Sequence, residues 1–100
     1  MERGLRVTPE AKKQIRDANA WWVANRSAAP HLIRTELERA FLLITSQPRV
    51  GSPALDPDLD PVRRILLYRI GYHLYYRIAL DSTVHVLGLW HTSRGVAPPL

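Results

Sequence analysis

Four residues of the C-terminal third have the types that phosphate chemistry needs: Arg64, His73, His91 and Arg94. Cutting RNA through its 2′-hydroxyl takes a base for that hydroxyl, an acid for the leaving oxygen, and cations on the phosphate. Histidine titrates near neutral pH and serves as acid or base. Arginine forks onto phosphate oxygens. His91 closes an apolar run, Leu89-Trp90-His91, at the entry to a loop. His73 is its candidate partner, and Arg64 and Arg94 are the candidate cations. The competing reading has His91 making a local hydrogen bond and Arg94 pairing with a carboxylate. His31 and His85 have no partner pattern and read as structural. The chain has no cysteine, which excludes a thiolate nucleophile and thiolate metal ligands. Two histidines without a third ligand do not make a zinc site. Asp56, Asp58 and Asp60 lack the glycine and distal glutamate of a calcium loop. No metal or cofactor is expected.

The same residues support a second chemistry, binding without turnover. In the stretch LLYRIGYHLYYRI, residues 66–78, tyrosines, arginines and a histidine are threaded through two apolar runs around Gly71. Side chains alternate across a strand. Tyr72, Leu74, Tyr76, Ile78 and Leu80 form the apolar set, expected against helices. His73, Tyr75 and Arg77 then share the opposite face with Arg64 and Tyr68. Rings that stack and guanidinium groups that hold phosphates suit a nucleic acid or another anionic partner. Tyrosine and arginine are also ordinary residues of a half-exposed sheet.

Several elements must position these side chains. Leu5–Val7 reads as a short strand. Thr8-Pro9-Glu10 is a helix start: a capping hydroxyl, a proline for the first position, and an acid at the positive end of the dipole. Ala11, Ile15, Ala18 and Trp22 make one helical face, and the helix should end near Asn25. Of the adjacent Trp21 and Trp22, one ring should enter the core and the other stay partly exposed. A second helix is expected from Ser27–Pro30, with Pro30 in its first turn. Its buried stripe is Ile33, Leu37, Ala40, Phe41 and Ile44, and its outer face Arg34, Glu36, Glu38 and Arg39. Pro48 ends it. Four prolines and a glycine in residues 46–61 predict a loop without regular structure. Three strands follow, over 62–70, 72–80 and 84–90, joined by tight turns at Gly71 and Asp81-Ser82-Thr83. The expectation is an α+β fold in β-α-α-β-β-β order. An antiparallel helical hairpin packs on one face of a small, mostly antiparallel sheet and leaves the other face open.

One hundred residues with 46% hydrophobic and 23% charged side chains predict one globular domain over 1–100. The formal net charge is +5 and is uneven. From residue 62 onward Arg63, Arg64, Arg69, Arg77 and Arg94 face a single acid, Asp81. That imbalance favours an anionic partner. MERGLRV has no apolar signal core, and no run approaches the roughly 18 apolar residues of a membrane span. A cytoplasmic protein with no membrane contact is expected.

Several short motifs, in order and spacing, resemble the RelE/ParE superfamily of toxins from type II toxin–antitoxin systems. They are Trp21-Trp22, Ala24-Asn25-Arg26, Ala28-Ala29-Pro30, the turn Pro48-Arg49-Val50-Gly51, Val62-Arg63-Arg64, Gly71-Tyr72-His73-Leu74-Tyr75-Tyr76-Arg77, and Leu89-Trp90-His91 with Arg94. The resemblance implies a growth-halting toxin neutralised in a hetero-oligomer with a cognate antitoxin. Operator DNA would be reached only through that antitoxin. RelE-like members cut mRNA on the ribosome, whereas ParE-like members poison DNA gyrase. RelE-like toxins place arginine where this chain has His73, a second basic residue where it has Leu66, and often arginine where it has Thr92. Their tail tyrosine has no counterpart in Pro98-Pro99-Leu100. These departures, with the double tryptophan and the Trp-His ending, make the chain more similar to ParE-like toxins, and a gyrase inhibitor is implied. The alternative is a RelE-like mRNA interferase using His91, His73, Arg64 and Arg94. Arg64, Tyr68, His73, Tyr75, Arg77 and Arg94 are the implied target- or antitoxin-binding surface.

Overall fold

The computed structural model describes residues 4–54 and 62–93. Strand β1 (Leu5–Val7) leads into helix α1 (Pro9–Asn25), a turn, and helix α2 (Leu32–Ser46). Strands β2 (Ser52–Pro53), β3 (Arg63–Leu67), β4 (Tyr72–Ile78) and β5 (Val84–His91) follow. One five-stranded sheet runs in the order β1-β5-β4-β3-β2. β1 is parallel to β5, and the other pairs are antiparallel. No helix among the described residues is long and apolar enough to cross a membrane.

Helix α1 forms as its composition dictates. Thr8 Oγ1 accepts the Ala11 N–H at 3.1 Å, and Pro9 opens the first turn. Ala11, Ala18 and Trp22 are buried, with Ile15 packed against them. Helix α2 adds Ile33, Leu37, Ala40 and Ile44. The sheet contributes Leu67, Tyr72, Leu74, Tyr76, Val84, Val86 and Leu89 to the same core.

Five local expectations are corrected. Pro30 lies in the turn before α2, which begins at Leu32 after His31, an N-cap without a side-chain hydrogen bond. Glu36 is buried, not outward. It stands three residues after Ile33 and four before Ala40, on the edge of the apolar stripe, where its Oε2 lies 3.3 Å from Arg39. The segment after α2 is not wholly irregular. Ser52 pairs with Arg64 and Pro53 with Arg63, since an edge strand tolerates a proline whose missing N–H faces away from the ladder. The aspartates at 56, 58 and 60 lie outside the described residues. β3 stops at Leu67, and residues 68–71 form a turn closed by the Gly71 N–H on the Leu67 carbonyl at 2.9 Å. Gly71 has φ +72, the left-handed conformation that favours glycine. β4 stops at Ile78, so Leu80 is a fully exposed turn residue rather than part of the helix-facing set.

Candidate functional site

Register places side chains on the two faces of the sheet row by row. Against the helices lie Leu67, Tyr72 and His91 in one row, and Ile65, Leu74 and Leu89 in the next. On the opposite face Leu66, His73 and Trp90 form a row, followed by Arg64, Tyr75 and Gly88. A third row there crosses β4, β5 and β1 as Arg77, His85 and Arg6. Arg64, His73, Tyr75 and Arg77 therefore do share the face away from the helices.

Tyr68 does not belong to that strand face. It sits in the 68–71 turn with 78% of its surface exposed. Tyr75, expected open, is buried at 4%. Its hydroxyl accepts a long contact of 3.4 Å from Arg64, and its ring meets His73 edge-on at 6.1 Å. His73 has its pKa lowered, first by burial and then by the nearby Arg64 charge. The ring is therefore biased toward its neutral form.

His91 lies on the other side of the sheet, because of a β-bulge. Unbroken alternation from Val84 would put His85, Leu87, Leu89 and His91 on one face, with His73. Between Tyr75 and Tyr76 the register shifts instead, as Tyr75 pairs with Gly88 but Tyr76 with Val86. Leu87 is the extra residue. A bulge re-aims everything beyond it, so Leu89 enters the core and His91 joins Tyr72, whose ring it meets edge-on at 5.0 Å. The described residues do not bring His91 together with His73 and Arg64. Arg94 lies outside the described residues.

The surroundings of His91 restrict its chemistry. Its Nδ1 accepts the Ser93 backbone N–H at 3.1 Å and faces the Ser93 hydroxyl at 2.6 Å. A neutral imidazole has one acceptor nitrogen. With Nδ1 in that role, Nε2 is the donor nitrogen of the neutral ring. His91 lines an open cleft of about 700 Å³ together with Gln14, Asp17, Trp21, Tyr72 and Ser93. There β1 no longer pairs with β5, and Gln14 Oε1 accepts the Leu89 N–H at 2.8 Å. No group of three or more His, Asp or Glu side chains suited to a metal occurs among the described residues.

The Pro48–Gly51 turn is tied to the sheet by Tyr76. Its hydroxyl donates to the Pro48 carbonyl and accepts the Gly51 N–H, both at 2.8 Å. Arg63 adds a 2.7 Å bond to the Gly51 carbonyl. Burial raises the Tyr76 pKa, opposed by the Gly51 hydrogen bond and the Arg63 charge.

Comparison with known proteins fits this architecture. Residues 5–96 match the family model described as ParE toxin of type II toxin-antitoxin system, parDE. This chain belongs to the ParE toxin family. Among solved structures it is similar to the chromosomal ParDE system from P. aeruginosa, with TM-score 0.73 and 17% identity over 92% of this chain and 98% of that one. It is also similar to the intact E. coli RelBE toxin–antitoxin complex, with TM-score 0.66 and 19% identity over 92% and 99% of the two chains. The RelBE2 toxin–antitoxin complex from Mycobacterium tuberculosis gives TM-score 0.61 and 25% identity over 91% and 99%. No curated protein matches.

In this ParE-family toxin the paired-tryptophan motif is architectural. Trp22 Nε1 donates to the Ala29 carbonyl at 2.8 Å, and Asn25 Nδ2 to the Trp21 carbonyl at 2.8 Å. Arg26 lies 5.4 and 5.9 Å from the centres of the two indole rings. The motif ties the end of α1 to the turn before α2. Two residues of the basic face escape sequence reading, Arg6 and His85. Alternation along Leu5-Arg6-Val7 does turn Arg6 away from the core. What brings it beside His85 is a parallel pairing between the two ends of the chain, which no local pattern announces.

Proposed function

We propose that this ParE-family chain arrests growth by inhibiting DNA gyrase through binding, without turnover, and that a cognate antitoxin neutralises it. The observation that carries the reading is the separation of His91 from His73 and Arg64 by the β5 bulge. Acid–base cleavage of RNA needs its acid and base around one phosphate, and here the candidates stand on opposite sides of the sheet. Arg64, His73 and Arg77 serve as target-binding residues, buried Tyr75 supports Arg64 and His73 from below, and exposed Tyr68 stands in the adjoining turn.

An antitoxin partner is supported by the ParDE and RelBE relatives, and by exposed apolar side chains on the helices. Trp21 and Val23 on α1, and Leu42 and Leu43 on α2, remain 36–61% exposed. An acidic antitoxin segment would complement the basic sheet face. The test is DNA supercoiling by purified gyrase with the toxin in excess, with and without antitoxin. Loss of supercoiling that antitoxin restores is the expected result. Undiminished supercoiling overturns the target.

A further inference from the structure

We propose that Arg6, His85 and Arg77 form a binding row for the phosphodiester backbone of a nucleic acid. They stand side by side on β1, β5 and β4, on the face away from the helices. Adjacent strands lie about 4.8 Å apart, so the outer two arginines leave the sheet roughly 10 Å from each other. Arg77 Nη2 lies 3.4 Å from His85 Nδ1. A guanidinium has no acceptor, so in this contact the ring nitrogen is the acceptor. His85 thus stands between two permanent cations. Neither arginine has a carboxylate partner among the described residues. No described strand contains an acid. The acid that senses the row is Asp81 in the β4–β5 turn. Its carboxyl is held below the usual range first by hydrogen bonds from Thr83, with His85 a smaller cause.

Nucleic acid fits this face better than an acidic peptide because rings continue it. His73 and half-exposed Trp90 lie further along the same face. Cations that hold phosphates, interleaved with rings that stack on bases, are the requirements of single-stranded nucleic acid. The inference rests on the proposed target, since a gyrase-directed toxin works beside DNA. It adds a direct contact with the strand itself.

The test is fluorescence anisotropy of labelled single-stranded oligodeoxynucleotide with the full chain, alongside RNA and duplex DNA of the same sequence. The double variant Arg6→Gln/Arg77→Gln runs in parallel, its fold checked by circular dichroism. Wild-type affinity should drop on the order of tenfold between 50 and 200 mM salt, as two to three released counterions require. The double variant should lose most of the affinity and flatten the log–log salt slope by about 1.4. The three probes identify the nucleic acid engaged. No binding at 50 mM salt, unchanged binding by the folded variant, or displacement by polyglutamate as effective as by unlabelled oligonucleotide overturns the row. Gyrase inhibition without DNA binding rejects this inference and keeps the target. DNA binding without gyrase inhibition does the reverse.

Discussion

His91 shows how the placement of a single ring restricts a mechanism. Its Nδ1 is held by the backbone and hydroxyl of Ser93, which leaves Nε2 as a donor. His91→Ala should leave toxicity within about twofold of wild type, read as growth arrest on induction, because the ring stands across the sheet from His73 and Arg64. Codon-positioned mRNA cleavage on translating ribosomes that vanishes in this variant would restore the nuclease. His73 makes a different prediction, about pH. Its folded pKa lies below the ordinary 6.5 through burial and the Arg64 charge. Above 6.5 the ring is neutral in both folded and unfolded chains and carries no pH-linked penalty. As pH falls through 6.5 and on through the lowered value, the unfolded chain binds the proton first, and stability is lost. Urea melts of wild type and His73→Gln should converge toward neutral pH and separate in acid, with the variant losing less. Identical acid slopes would show that His73 keeps its ordinary titration.

The elements were largely legible because each has a local physical cause. The Thr8 cap, the Ala11–Ala18–Trp22 stripe and the Gly71 turn follow from residue type and spacing. What escaped was set mainly by tertiary contact. The bulge at Leu87 has one local signal, the lone Gly88 inside the strand pattern of β5, which sequence reading passed over, and one added residue was enough to move His91 across the sheet. The Ser52–Pro53 strand forms because β3 offers it an edge. The Pro48–Gly51 turn was legible as a turn, but its anchor, Tyr76 in a strand 25 residues from Gly51, was not. That anchor is sterically exacting: a methyl group on Gly51 would begin 2.5 Å from the Tyr76 hydroxyl and 2.9 Å from the Arg64 carbonyl. Gly51→Ala should cost about 1–3 kcal/mol by overpacking. Tyr76→Phe, which leaves a buried N–H and a carbonyl unpaired, should cost a similar 1–3 kcal/mol. Combined, the two should lose less than the sum, because the phenylalanine removes the nearest of the atoms the methyl strikes. Denaturant melts of the four proteins check this, and strict additivity would place the strain against the Arg64 carbonyl and the ring edge that phenylalanine keeps.

At the scale of the whole molecule, the two layers present surfaces of opposite character. The helices expose apolar Trp21, Val23, Leu42 and Leu43, and the far side of the sheet carries Arg6, Arg64, Arg77 and their histidines without an acid on any described strand. A partner that wraps both would divide its kinetics between them. Rim and surface charges act mainly on the rate of encounter and are screened by salt, whereas desolvated apolar contacts act mainly on the rate of escape. For an acidic antitoxin, Arg77→Glu should slow association several-fold at low salt and leave dissociation nearly unchanged. Leu42→Asp should leave association nearly unchanged and speed dissociation tenfold or more, about 1.4 kcal/mol. Surface plasmon resonance at two salt concentrations separates these effects. If Arg77→Glu instead raised the dissociation rate at both, the antitoxin would be seated on the sheet face itself and would neutralise the toxin by occupying the target surface directly.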